Sequence, residues 1–269
     1  MPSSKFRYCN YLIELVFAET SSGLTEIGAW AFEDCHHLQR MTAFSVGLLR
    51  VRPSAYSGCR SLSGALVFPG TVVLVDEYCF HHCSAVTHVV FRDPRTPAAT
   101  PVELGRFVFK MCSALQSAQL PQNLVVIPHS TFFGCTALLQ CPIPVSVDEI
   151  ELLAFFRCCA LKSLDLPART SRIGYRAYGE CTSLATVTIR ATKVLDCGYK
   201  AFDRCTSLMT ITIRASEVRY GQKVLAKCPA LATIQVYPSV WTNLFESMNE
   251  DPTFLFKFVR NYQSCKWTA

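Results

Sequence analysis

Ile173-Gly174-Tyr175-Arg176-Ala177-Tyr178-Gly179-Glu180-Cys181-Thr182-Ser183-Leu184-Ala185-Thr186-Val187-Thr188-Ile189 is followed one unit later by Cys197-Gly198-Tyr199-Lys200-Ala201-Phe202-Asp203-Arg204-Cys205-Thr206-Ser207-Leu208-Met209-Thr210-Ile211-Thr212-Ile213. Two stretches so alike at a fixed separation mark a repeat architecture, in which one supersecondary unit recurs. Aligned on the cysteine, the same unit returns at Cys9, Cys35, Cys59, Cys83, Cys112, Cys135, Cys158, Cys181, Cys205 and Cys228, in steps of 23 to 29 residues. Three residues before the cysteine stands an aromatic ring in every unit but the last, where Leu225 replaces it. Three residues after it stands leucine, or Val86.

Six and eight residues after the cysteine come apolar pairs such as Leu164/Leu166, Val187/Ile189 and Ile211/Ile213, the spacing of a strand with one buried face. In the third unit the same rule selects Ala65/Val67, and in the second Met41/Ala43. Upstream, Ile173, Ala177, Tyr178 and Cys181 fall at helical spacing, which predicts a short helix. Each unit then reads as one strand plus one short helix, too small to bury its own apolar side, so neighbours must stack. The glycine seven before the cysteine (Gly28, Gly105, Gly174, Gly198, Gly221) predicts either unusual dihedrals or a close backbone approach.

The pattern I-G-x-x-A-F-x-x-C-x-x-L resembles the unit of the BspA-type leucine-rich repeats, from about Phe6 to Val236. The resemblance implies an α/β repeat solenoid: a curved right-handed horseshoe with a parallel sheet on its concave face and short helices on the convex side. It also implies adhesion or protein recognition rather than catalysis, often on cell surfaces.

The expected organisation is a solenoid of about ten units over 1–237 and a C-terminal helical cap over 238–269. In the cap, Trp241, Leu244, Phe245 and Met248 fall at helical spacing and Asp251-Pro252 opens a second helix. The first coil offers Leu12, Leu15 and Phe17 at an uncovered end, which predicts self-association there.

Hydrophobic content is 50%, charged content 17%, and no apolar run approaches the roughly 18 residues of a membrane span. The N-terminal stretch has basic residues before a short apolar run, but Glu14 interrupts it and its apolar positions fit the repeat, so it reads as the first coil. That reading places the protein in the cytoplasm, or at the cell surface if a leader lies upstream. Fifteen cysteines raise the question of disulfides. With helices packed about 10 Å apart, column cysteines would lie beyond disulfide reach, so free thiols in a reducing compartment are expected.

The net charge of +6 is modest. Arg92, Arg190 and Arg214 share a column nine after the cysteine, with Arg172, Lys193 and Arg219 nearby. They read as a solvated rim, and no nucleic-acid partner is expected.

The exposed strand positions, five and seven after the cysteine, supply the candidate binding residues: Arg40, Thr42, His88, Gln119, Gln140, Asp165, Thr186, Thr188, Thr210, Thr212, Thr233 and Gln235, with Arg190 and Arg214 on the rim. Threonine also simply suits exposed strands. The proline-rich 92–104 loop reads equally as a binding insertion or a tolerated one.

Cys79, His81, His82, Cys83 and His88 are close in sequence, but Cys83 belongs to a buried column and His88 to the strand face, so no metal site is expected. There is no G-x-S-x-G, P-loop, G-x-G-x-x-G or H-E-x-x-H, so neither catalytic residues nor a cofactor are expected. The leading reading is a non-enzymatic scaffold for a protein partner. The alternatives are a surface or secreted adhesin for protein or glycan, and a regulatory subunit of an enzyme complex.

Overall fold

A computed structural model of the chain describes residues 1–17, 23–93, 100–192 and 194–236. Each repeat closes one coil, and successive coils stack through two parallel ladders. The first ladder uses the strands that follow the cysteine. Glu14–Leu15 pairs with Arg40–Met41; Gly64–Phe68 with Val86–Phe91 and then Ser117–Gln119; and Ser163–Leu166 with Thr186–Ile189, Thr210–Ile213 and Thr233–Val236. The second ladder uses strands that precede the cysteine. Glu26–Ile27, Arg50–Val51, Leu74–Val75 and Glu103–Leu104 form one part, and Val126–Ile127, Glu149–Ile150, Arg172–Ile173, Val194–Cys197 and Glu217–Tyr220 the other. A single buried residue anchors most of these short strands, as Ile27, Val51 and Ile173 do, so they carry no alternation to read.

The architecture is therefore a parallel β-solenoid, and the expected convex helices are not there: the described residues contain no helix. Hydrogen bonding across the A-F-x-x-C segment gives the reason. Ala31, Glu33 and Cys35 donate to the carbonyls three residues back (Gly28, Trp30 and Phe32), closing consecutive tight turns. The residues between them, Trp30, Phe32 and Asp34, donate instead to Pro53, Ala55 and Ser57 of the next coil, at 2.7 to 3.0 Å. An α-helix needs each of these N–H groups for its own i−4 carbonyl. Trp30 and Asp34 also adopt left-handed φ angles of 54° and 55°. The same two positions, five and one before the cysteine, are left-handed in every unit, from Ser4 and Tyr8 to Lys223 and Lys227, with Gly58 and Gly134 filling the second position twice. Left-handed residues cost roughly 1–2 kcal/mol each and cannot be accommodated in a right-handed helix. The inter-coil bonds offset that cost, and chained turns reproduce the helical spacing of the apolar residues.

Coils joined this way step at the parallel-strand distance, about 4.8 Å, rather than the roughly 10 Å of packed helices. The spacing argument against disulfides therefore fails. The thiols are nonetheless all free among the described residues, and their geometry gives each column cysteine another role. From Cys35 to Cys228, each Sγ–H donates to the carbonyl of the aromatic residue, or its equivalent, in the preceding coil: Cys35 to Phe6 at 3.0 Å, Cys112 to Phe80 at 3.2 Å, Cys228 to Phe202 at 3.2 Å.

Inside, the aromatic column is one continuous stack from Phe6 through Phe32, Tyr56, Phe80, Phe109, Phe132, Phe155 and Tyr178 to Phe202. Its centroids are 4.9 to 5.8 Å apart and its rings nearly parallel. For the glycines seven before the cysteine, close approach decides. A Cβ on Gly105 would lie 2.2 Å from the Glu77 nitrogen of the coil before, and none of these five glycines has a positive φ.

The strand register departs from expectation in two units. Gly64, at φ +85°, makes a bulge, so Leu66 and Phe68 face the core while Ala65 is exposed. In the second unit Phe44 is buried, Met41 half-buried and Ala43 exposed. The expected helical cap over 238–269 lies outside the described residues, as does 94–99 of the 92–104 loop.

Candidate functional site

The outward face of the first ladder carries the sequence-derived candidates, and parallel register sorts them into columns. Thr186, Thr210 and Thr233 are direct neighbours, as are Asp165, Thr188, Thr212 and Gln235 beside them. Thr186 is exposed and Thr188, Thr210, Thr212, Thr233 and Gln235 are half-buried. The Thr212 hydroxyl donates to Gln235 Oε1 at 3.1 Å, and Arg190 Nη2 reaches Asp165 Oδ2 at 2.8 Å. Arg214 extends this edge, its backbone N–H donating to Ile189. These residues form one contiguous, nearly neutral plane across four coils.

The remaining candidates sit farther along the axis. His88 pairs with Ser117, which bridges to Gln140, while Gln119 is opposite Val90. The His88 ring nitrogen Nδ1 lies 2.8 Å from the Thr87 hydroxyl. Arg40 faces Glu14 at 3.5 Å, and the Thr42 hydroxyl accepts the Phe17 N–H at 2.8 Å. From Arg40 to Thr233 is eight coil steps, about 38 Å at the parallel-strand spacing. The candidates thus line an extended surface suited to a macromolecule, not one pocket.

The basic rim is largely neutralised. Arg172 Nη1 is 2.9 Å from Glu149 Oε1, within a column on the second ladder where Glu149, Arg172, Asp196 and Arg219 alternate in sign. Such opposed cross-strand pairs contribute roughly 0.2–1 kcal/mol each.

The histidine cluster separates as its sequence positions require. His81 and His82 lie on the turn, their rings 4.3 Å apart, whereas His88 is on the first ladder. Burial, with His82 and Lys110 beside it, pushes His81 down to about 4, and burial also lowers His82 and His129. Among the described residues no three His, Cys, Asp or Glu side chains converge as metal ligands would. From Cys79 onward the interior thiols are held protonated by burial, Cys112 and Cys197 being pushed up to about 12, so they lack the thiolate character of a nucleophile, whereas the hydrogen bond with Cys59 lowers Cys35.

Sequence reasoning missed the turn face. There Tyr78 stacks on Phe107 at 4.6 Å, His129 tilts against Phe107 at 4.5 Å, Phe133 meets Phe156, and Tyr175 meets Tyr199. Lys110 Nζ lies over both Phe107 and Phe133, at 5.1 and 5.0 Å. Farther along, Glu180 gathers guanidinium groups from three coils: Arg157 at 2.7 Å, Arg204 at 3.9 Å and Arg176 at 4.0 Å. Buried Asp203 holds Arg176 at 2.7 Å. The signal was available in the columns six, five, two and one before the cysteine, which a helix reading treats as generic surface.

The family profile described as "BspA type Leucine rich repeat region (6 copies)" matches residues 1–103 and 102–232. The chain belongs to this family. Two solved structures illustrate the shared fold. The leucine-rich repeat protein of T. pallidum, TpLRR, is 23% identical with a TM-score of 0.50, over 82% of this chain and 78% of that one. The pneumococcal vaccine antigen PcpA is 18% identical with a TM-score of 0.53, over 93% of this chain and 68% of that one. Among curated proteins no match is found. No catalytic family is indicated, and no helix among the described residues is long and apolar enough to cross a membrane.

Proposed function

We propose that this BspA-type protein is a non-enzymatic scaffold that binds a protein partner on the outward face of its first ladder. The supporting observation is the plane formed by Thr186, Thr188, Thr210, Thr212, Thr233 and Gln235, bordered by Arg190 and Asp165. Short polar side chains on a rigid sheet lose little entropy on contact, and the same side of the solenoid continues over the six coils before them.

Cross-linking in the native cells followed by mass spectrometry tests this reading. Links from Lys162, which borders the plane, to one partner, abolished by Thr186→Lys with Thr210→Lys, support it. Links confined to the first coil or to residues 238–269 overturn it in favour of assembly through the ends.

A second reading, an adhesin at the cell surface, draws on the description of PcpA as a vaccine antigen. The free thiol column favours a reducing compartment. Counting thiols by alkylation of protein taken from its native compartment separates the two.

A further inference from the structure

On the turn face, six of the eight left-handed positions in the last four coils are basic, the other two being Leu153 and Glu180. Arg157, Arg176, Lys200, Arg204, Lys223 and Lys227 occupy them, against Glu180 at the same positions and Asp203 beside them. Six cations against two carboxylates leave a net charge of four here, most of the chain's +6.

The two carboxylates hold the row in shape. Glu180 and Asp203 fix the guanidinium groups of Arg157, Arg176 and Arg204 from three successive coils, and Arg176 also lies over the Phe156 ring at 5.2 Å. Arg176 Nε is buried with no hydrogen-bond partner among the described residues. Anchored guanidinium groups give up less rotamer freedom on meeting an anion.

We propose that this face binds an extended anionic polysaccharide, a chain bearing sulfate or carboxylate groups on successive sugars. Each position steps about 4.8 Å per coil, Arg176, Lys200 and Lys223 following one another on one and Arg204 and Lys227 on the other, beyond Arg157 and Glu180. That step is comparable to the length of one pyranose unit in an extended chain. A nucleic-acid duplex winds its phosphates away from a straight row. A single strand needs a succession of open ring faces for its bases, whereas here Tyr175 is exposed but stacked on Tyr199, which Lys200 covers. A lipid surface rewards apolar side chains, and of these eight positions Leu153 alone carries one.

The test is calorimetric titration of the whole chain with a size-defined heparin oligosaccharide at low and physiological salt. Binding that weakens with salt is expected. The variant Lys200→Glu/Arg204→Glu/Lys227→Glu should lose affinity by roughly a hundredfold, while Arg60→Glu/Arg92→Glu/Arg169→Glu, with the same change of net charge, should stay within about threefold of the parent. If the first variant fails to fold, the decisive measurement is protection of Lys200, Lys223 and Lys227 from acetylation by the oligosaccharide, with Lys162 as reference. Equal losses in both variants, no binding by the parent chain, or tighter binding to single-stranded DNA of equal charge or to phosphatidylserine vesicles overturns the proposal.

Discussion

The thiol of Cys181 donates to the carbonyl of Phe155 across 3.2 Å, one coil back, and that carbonyl already accepts the N–H of Cys158. The column cysteine is thus a donor small enough to fit between coils and able to fill a second lone pair. Alanine at this position removes the sulfur and its bond but leaves the carbonyl one partner. Cys181→Ala is expected to cost about 1–2 kcal/mol in urea unfolding, from the cavity plus a weak hydrogen bond.

Thiol chemistry should follow burial. Cys9 and Cys159 are half-buried, whereas the column from Cys35 to Cys228 is buried. Alkylation at neutral pH, read by mass spectrometry, should label Cys9 and Cys159 in the folded protein and the column only on unfolding. Labelling of Cys135 or Cys158 at the same rate would show that the interior opens far more readily than its packing suggests.

The repeat, its aromatic and leucine columns and the first ladder were legible because each recurs with a fixed spacing and a single chemical class. The second ladder was not, because its strands are two to four residues long and most bury one side chain, as Ile27 and Ile150 do. The false helix has a physical origin. Ala177, Tyr178 and Cys181 share one side whether the chain winds as a helix or closes chained turns, and only the left-handed Arg176 and Glu180 tell the two apart. Side-chain pattern is blind to φ when lysine, arginine and histidine fill positions where glycine would have signalled it. The outward-facing threonine positions followed from alternation alone. The arginine cluster around Glu180 required knowing that coils sit at strand spacing.

Two glycines should respond to alanine for different reasons. At Gly105 the new Cβ meets the backbone of Glu77 at 2.2 Å, so coils four and five must separate. Gly64 has open space around it but a φ of +85°. Gly64→Ala is expected to cost about 1 kcal/mol, from backbone strain alone, and Gly105→Ala more than about 3 kcal/mol. Similar losses at both would mean that the coils yield easily at Gly105.

Tyr178 brings a hydroxyl into the ring stack, and it finds no hydrogen-bond partner among the described residues. Phenylalanine occupies the same column in both adjacent coils. Removing an unsatisfied buried hydroxyl is favourable, so Tyr178→Phe should raise stability by about 1 kcal/mol. A loss of that size would show instead that the hydroxyl is hydrogen-bonded in solution.

His81 sets an acid limit on the middle of the solenoid. Its ring is edge-on to Tyr78, beside His82 and Lys110, and burial is the largest cause of its lowered value of about 4. An unfolded histidine titrates near 6.5. With the folded value depressed, the unfolded chain takes up the proton first. Stability is therefore full above about 6.5, falls as pH drops towards 4, and gains no further dependence from this group below that. Carboxylates titrate at the lower end of the same window, so the contribution must be read as a difference between variants. His81→Gln should flatten the decline between pH 6.5 and 5, measured by urea unfolding at each pH. An identical slope for His81→Gln and the parent chain would locate the proton uptake at His82 or His129, whose values burial lowers less.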